Sequence, residues 1–362
     1  MDRVIALIPS HNEEALLPAA IRALEEQTTA PARIVVVSDN STDRTTAIAA
    51  EWGGTVSHFE THGNRDRKAG ALNQALATLL PELAETDWVL VVDADSSLAP
   101  GFIARALAAA AADPGVGAVG GIFLAENPHT VLERMQALEY VRYAREISRD
   151  RARARVLTGT ATLVRVAALR AISQARANAT LPGGGGIYHP RALCEDFELT
   201  VALKRLGYRC ISPRDCIVRT EVMPTLGQLW RQRTRWQRGA LQCIAMHGAS
   251  RVTLPYLRQQ AGMTMGLIAT ALLWLVTAWS LWSGMFDLRP FWCLVGLVFY
   301  AERVVSAWRA DGRGRLLAAC ALPDLLYDYL IGAVNCFVWV QVALRREGKW
   351  GLSTIDASRT MH

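Results

Sequence analysis

Two carboxylates one residue apart, Asp93 and Asp95, close an apolar run in the stretch VVDADSS. Along an extended chain, side chains i and i+2 point the same way, so both carboxylates face one side. Hard oxygen donors in that arrangement suit Mg2+ or Mn2+ shared with a diphosphate. Aspartate also opens turns and caps helices, and the pair alone leaves both readings open. Asp39 and Asp43 in SDNSTDRT stand after another apolar run. Asp39 has the chemistry to accept hydrogen bonds from a nucleoside, and Asp43 suits a helix cap better. Arg67 and Lys68 in RDRKAGALN sit at a helix start, a place for a phosphate contact or for solvated charge. Glu195 and Asp196 form an adjacent acidic pair, which could cap a helix or supply a general base to an attacking hydroxyl. In QRTRW, residues 232–236, the arginines could neutralise a departing diphosphate. Trp236 could stack on a sugar face with its indole N–H free for hydroxyls.

These residues need elements to hold them. Continuous apolar runs at 4–9, 33–38, 88–93 and 115–121 read as strands buried on both faces. Helical patterns at 13–26, 43–51, 69–80 and 100–112 alternate with them. Such an alternation predicts a doubly wound, mostly parallel α/β sheet with ligands at the carboxyl ends of its strands, where the acidic residues cluster. The four glycines at 183–186 mark a loop. Residues 225–247 are amphipathic, with Trp230 and Trp236 among the arginines, as in a helix lying at a membrane interface.

The chain has 362 residues, a formal charge of +6 and a pI near 9.1, which points to an anionic partner without naming it. Seven cysteines without CxxC spacing predict neither a zinc site nor a disulfide framework. The N-terminus does not read as a signal peptide. No charged residue occurs from 259 to 286, and 263–282 is long enough to cross a bilayer. The stretch 291–308 turns charged at Glu302 and Arg303. The stretch 316–344 carries Pro323, Asp324 and Asp328, which suggests a re-entrant or interfacial segment whose acidic pair faces protein or water. The expected division is a cytosolic catalytic unit at 1–224, interfacial helices at 225–260, membrane helices at 261–346 and a tail at 347–362.

Taken in order, IPSHNEE, SDNSTDRT, KAGALN, DAD, GTATLVR, ED and QRTRW resemble the motif series of the family 2 glycosyltransferases of GT-A fold. The likeness is to membrane-embedded members such as cellulose, hyaluronan and chitin synthases, and it covers roughly residues 4–240. The resemblance implies that Pro9, Glu13, Asp39, Lys68, Asp93 and Gln232 bind the nucleotide sugar. It implies that Asp93 and Asp95 hold Mg2+ or Mn2+, and that Gly159, Thr160 and Trp236 meet the acceptor. Asp196 would be the base, with Glu195 beside it and Arg235 on the diphosphate. The reaction would be an inverting hexosyl transfer from a UDP-sugar to a β-linked glycan, at a plasma or inner membrane. The chain departs from the family pattern in reading Cys194-Glu195-Asp196 where Thr-Glu-Asp is usual. Its hydrophobic segments are also fewer than in the large polymer-secreting synthases. A single transfer to a lipid acceptor is therefore the rival reading, and a non-catalytic scaffold a remote one. Nucleic acid is not an expected partner, because strand-end carboxylates repel phosphates that bring no metal.

Overall fold

The computed structural model describes residues 2–287 and 289–344; the expected tail at 347–362 lies outside them. The first half alternates as the sequence predicts. β1 (Val4–Ser10), α1 (Leu17–Glu25), β2 (Arg33–Ser38), α2 (Thr45–Trp52), β3 (Val56–Glu60), α3 (Arg67–Leu79) and β4 (Trp88–Val92) follow one another. Then come β5 (Ser96–Leu98), α4 (Phe102–Ala111), β6 (Val116–Gly120), β7 (Ile122–Ala125), α5 (Val131–Arg149), β8 (Ala161–Arg165) and α6 (Val166–Ala177). α7 (Glu195–Arg205), β9 (Arg209–Ile211) and β10 (Ile217–Thr220) complete the α/β part.

Seven strands form one sheet in the order β3-β2-β1-β4-β8-β6-β9. β8 runs antiparallel to both its neighbours, β4 and β6, while the remaining pairings are parallel. The sheet is therefore mixed around a parallel half. Its two faces are covered separately. Ile5 and Leu7 of β1 pack with Leu72 and Leu76 of α3 and Leu199 of α7. Ala6 and Ile8 turn the other way, onto Leu17 and Ile21 of α1 and Phe102 of α4. Alternation along β1 thus feeds two cores, which is why the run is apolar throughout.

Residues 115–121 do not remain one strand. The chain leaves the main sheet at Gly121 and continues as β7 beside β10 and β5 in a three-stranded sheet. A Cβ at Gly121 would lie 2.9 Å from Val218 Cγ1, so the crossing requires glycine at that point.

Beyond β10 the chain is helical: α8 (Leu226–His247), α9 (Leu254–Trp282), α10 (Pro290–Ser306), α11 (Gly312–Cys320) and α12 (Leu322–Ala343). Thr225 caps α8 by accepting from the Gln228 N–H. The expected division at 260 meets no break, since α9 runs unbroken from Leu254 to Trp282. Among the described residues, the helices long and apolar enough to cross a membrane are α9 and α12, and α10 has only 17 residues. The stretch expected to be re-entrant therefore provides the second long helix. Asp324 does not interrupt it, because Arg142 of α5 holds both its oxygens at 2.7 and 2.6 Å and Arg303 adds a contact at 2.8 Å.

Candidate active site

The carboxyl ends of β1, β2 and β4 converge, and with them the polar residues singled out in the sequence. Pro9 lies in β1 beside Val37 of β2. Asp39 follows β2, and its Oδ1 accepts from Thr61 Oγ1 at 2.7 Å, Asn64 Nδ2 at 2.8 Å and Asn40 Nδ2 at 2.9 Å. Its backbone carbonyl meets His11 Nδ1 at 2.6 Å. Asp43 is not the cap itself but stands one residue before the N-cap of α2, Arg44, and ties the helix start to the loop after β1. One oxygen accepts from the Thr45 N–H and hydroxyl, at 2.9 and 2.5 Å, and the other from the Glu14 N–H at 3.1 Å. The Glu13 N–H also donates to Thr45 Oγ1, so this loop is tied to the start of α2.

The centre is built on Lys68, in the first turn of α3. Its Nζ stands 2.6 Å from Asp93 Oδ1 at the end of β4, 3.0 Å from Glu195 Oε1 in the first turn of α7, and 3.4 Å from the Gly159 carbonyl. Asp196 turns to the same loop, where Oδ2 accepts from the Gly159 N–H at 3.0 Å while Oδ1 accepts from Phe197 N–H at 2.7 Å. Asp93 N–H in turn donates to the Thr160 carbonyl at 3.1 Å. Residues 93, 159–160 and 195–196, far apart in sequence, thus share one ammonium and one turn of backbone.

Burial and charge crowd this site. Burial pushes the Asp93 carboxyl up to about 6, Lys68 pulling against it and Asp95 adding to it. Burial and the Glu195 charge push Asp196 up to about 6. Burial works on Glu195 too, but Lys68 overcomes it and holds that carboxyl below its ordinary value. Lys68 is the reverse case: burial would lower it, and the carboxylates around it keep it raised. Lys68 thus lowers Glu195 while burial raises Asp196, so two carboxyls of one cluster are pushed in opposite directions, the pattern that acid–base chemistry uses.

Asp95 accepts from Ser96 Oγ at 2.9 Å, and burial raises it, with the Glu221 charge adding to the rise. Among the described residues no three His, Cys, Asp or Glu side chains form a ready metal cage. Mg2+ and its relatives are commonly held by one or two carboxylates together with a ligand's phosphates. Two half-buried carboxylates, Asp95 raising Asp93, fit a cation of that kind.

α8 brings Gln232, Arg235 and Trp236 to one side, as spacings of three and four on a helix require. Arg235 favours the ionised forms of both Glu195 and Asp196, and its carbonyl accepts from Cys194 Sγ at 3.7 Å. Cys194 packs on Gly239, where a Cβ would fall 3.0 Å from the Cys194 Cβ. The cysteine therefore seats α7 on α8. Among the described residues, Gln232 Oε1 and Thr160 Oγ1 are buried with no hydrogen-bond partner, unusual for interior polar atoms.

Arg233 is different in kind. It is buried, bonded to Glu139 of α5 at 2.8 Å and to Tyr327 of α12 at 3.3 Å, with its guanidinium 4.3 Å from the Trp236 ring centroid. Trp230 packs on Phe337 and Arg238 bonds Gln341, both on α12. The basic face expected at a lipid surface is thus largely a face between helices. Sequence reading also missed Asn73, which fixes the glycine loop by accepting from Ile187 and Tyr188 N–H at 2.9 and 2.8 Å. That loop and Asn64, Arg65 and Asp66 line a cleft beside Lys68.

Residues 2–239 match the family described as glycosyltransferase like family 2. The probable glycosyltransferase YdaM of Bacillus subtilis is 28% identical over 247 residues, covering 66% of this chain and 55% of the relative. The poly-beta-1,6-N-acetyl-D-glucosamine synthase of Staphylococcus aureus is 26% identical over 219 residues, covering 58% and 48%. The chain thus matches about half the length of these curated relatives. Among solved structures, a mannosyltransferase, PcManGT from Pyrobaculum calidifontis in complex with GDP-Man and Mn2+, superposes with a TM-score of 0.62 at 20% identity. That superposition covers 95% of this chain and 88% of the other, a likeness of fold of the GT-A type. The match over residues 2–239 spans the sheet, the acid pair and QRTRW, and on it this chain belongs to glycosyltransferase family 2.

Proposed function

We propose that the chain is a membrane-anchored, metal-dependent, inverting glycosyltransferase that moves a hexosyl group from a nucleotide sugar, UDP-linked in the first reading, to an acceptor hydroxyl. The observation that carries this is the gathering of Asp93, Lys68, Glu195 and Asp196 around one point, with Asp196 raised to about 6. A carboxylate with that value is ionised at neutral pH yet basic enough to take the acceptor's proton.

In this reading Asp39, Pro9 and Glu13 hold the nucleoside, and Lys68 with Gln232 and Arg235 meets the diphosphate. Asp93 and Asp95 would hold Mg2+ or Mn2+, which supplies positive charge where the nucleoside diphosphate leaves. Asp196 takes the hydroxyl proton as the acceptor oxygen attacks the anomeric carbon. The bond to the diphosphate breaks in the same displacement, so one inversion turns an α-linked donor into a β-glycoside. Glu195 stays charged on Lys68 and keeps the raised value of Asp196. Gly159, Thr160 and Trp236 line the acceptor side.

The acceptor is a growing β-linked glycan in the first reading, in line with the named product of the staphylococcal relative. A lipid acceptor is the second reading, favoured by the docking of α8 on α12 through Arg233, Trp230 and Arg238, which places the Trp236 helix against apolar helices. The catalytic unit would span 1–224 on the cytosolic side of a plasma or inner membrane, with α9 and α12 as its anchor.

The test is full-length protein in detergent with UDP- and GDP-sugars, with Mn2+ or Mg2+, and nucleotide release measured. Products are sized by mass spectrometry and the anomeric configuration read by NMR. A ladder of masses supports the glycan reading, and one added mass on a co-purified lipid supports the second. Absence of turnover with every donor defeats both.

A further inference from the structure

Glu198, on α7 three residues beyond Glu195, takes no part in the cluster around Lys68. Its side chain is 0% exposed, as are those of its two partners. Oε2 accepts from Arg176 Nη2 at 2.5 Å, and Oε1 meets His247 Nε2 at 2.8 Å. Arg176, near the end of α6, also donates from Nη1 to the Pro182 carbonyl, at the entry to the glycine run. His247 is the last residue of α8, and its carbonyl accepts from Arg205 Nη1 in the last turn of α7 at 3.1 Å. One carboxylate therefore joins the glycine loop, the helix of the acid pair and the helix of QRTRW.

Stability alone is a poor reason for such a network. Replacing a buried ion pair by apolar side chains of similar volume is often neutral or stabilising. The loop supplies a better reason. Gly183, Gly184 and Gly185 have φ of +123°, +66° and +101°, so the run has little conformational preference of its own and its position is set at its ends. Asn73, on the same helix as Lys68, fixes the far end at Ile187 and Tyr188, and Arg176 fixes the near end at Pro182. The loop stands directly on that guanidinium: a Cβ at Gly183 would strike Arg176 and fall 3.0 Å from His189 Cδ2.

We propose that Glu198, with Arg176 and His247, is a positioning unit that holds the glycine loop and α8 in register with the acid pair on α7. It moves no proton and touches no substrate. The inference rests on the reading of the chain as a nucleotide-sugar transferase.

The experiment compares full-length parent, the double variant Arg176→Met/Glu198→Leu and the single variant Glu198→Gln. Melting temperature, kcat and KM for the nucleotide sugar, and amide hydrogen exchange at 183–188 are measured. The double variant keeps its melting temperature, because apolar side chains replace the pair. Its KM stays within about twofold while kcat falls about 10-fold or more, since misplacement by about 1 Å can cost about 10²-fold. Exchange at 183–188 rises while β1 and β4 stay protected. Glu198→Gln keeps the shape and gives the same split, and it decides the matter if the double variant does not fold. Parental kcat and parental loop exchange in the variant that folds overturn the proposal, as does a rise in KM with kcat intact. A parent that turns over no nucleotide sugar defeats the transferase reading instead, and loop exchange still judges the positioning unit.

Discussion

At the residue scale the proposed reaction turns on Asp196 as its base. Its carboxyl, raised to about 6, must be ionised to accept a proton, so turnover falls as pH drops below about 6 and levels above it. A pH profile of kcat with saturating metal checks this, and a profile flat to pH 4.5 removes Asp196 as the base. Asp196→Asn lowers kcat by about 10²–10⁴-fold, the usual worth of a general base, with nucleotide affinity unchanged by calorimetry. The same substitution has a thermodynamic signature. The folded value lies above the ordinary 3.8, so folding favours the protonated form. The stabilisation is complete below about 3.8 and is lost as pH rises through about 6. At pH 7.5 without metal, Asp196→Asn therefore melts at or above the parent temperature, and the gap closes toward pH 4. Asp95, which accepts from Ser96 Oγ, gives a different outcome. Asp95→Asn raises the Mn2+ concentration for half-maximal rate about 10-fold or more, while Asp196→Asn leaves it near the parent's. Loss of a group that merely supports a metal ligand commonly costs about 10–100-fold in affinity or activity, so loss of a ligand carboxylate is expected to cost at least about 10-fold.

α8 carries two arginines two residues apart with opposite duties. Arg233 is buried between Glu139 and Tyr327, whereas Arg235 acts on the acid pair. Arg233→Met leaves Glu139 without its cation and costs about 3 kcal/mol of stability, the low end for breaking a buried pair because Glu139 keeps some solvent. Arg235→Met melts near the parent temperature and lowers kcat about 10²–10³-fold, as the loss of a charge-stabilising group does. Thermal melts and steady-state rates on the two variants separate these roles, and interchangeable effects would contradict both. The grouping of Arg235 with Gln232 and Trp236 was legible because the three repeat at helical spacing. That of Arg233 was not, since its partner Glu139 lies 94 residues away on α5. The same limit runs through the fold. β1, β2 and β4 announce themselves as apolar runs buried on two faces, while β3 and β7 each bury one residue and β5 is three residues long. The reversed direction of β8 is not written in ATLVR at all, because direction comes from the connection and not from the residue pattern. Lys68 and the acid pair could each be suspected, but their ion pair at 3.0 Å joins α3 to α7 only through the tertiary fold.

At the scale of the whole molecule, the catalytic unit and the apolar helices are one piece of machinery in which polar chemistry is used twice. Arg142 of α5 reaches Asp324, which is 1% exposed at the start of α12, so the most costly charge on that helix is met from the α/β side. α9 has no such cover: its most apolar 18-residue window is 0% buried, with Leu273 64% and Leu275 66% exposed. A core helix of a water-soluble protein would bury that face, and a continuous apolar surface of this kind marks contact with a membrane or a partner. Charge substitution separates the alternatives. On a water-facing helix, exposed Leu→Lys changes usually stay within about 0.5 kcal/mol. At the centre of a membrane helix each lysine costs about 2.5–3.5 kcal/mol on insertion scales. Leu273→Lys/Leu275→Lys therefore moves the full-length protein out of the alkaline-washed membrane fraction, while the solvent-side control Arg44→Lys leaves it there. A double-lysine protein that partitions as the parent does would overturn α9 as the proposed membrane anchor. Asp324, buried and paired, would then point to α12 and its Arg142 contact as the anchor.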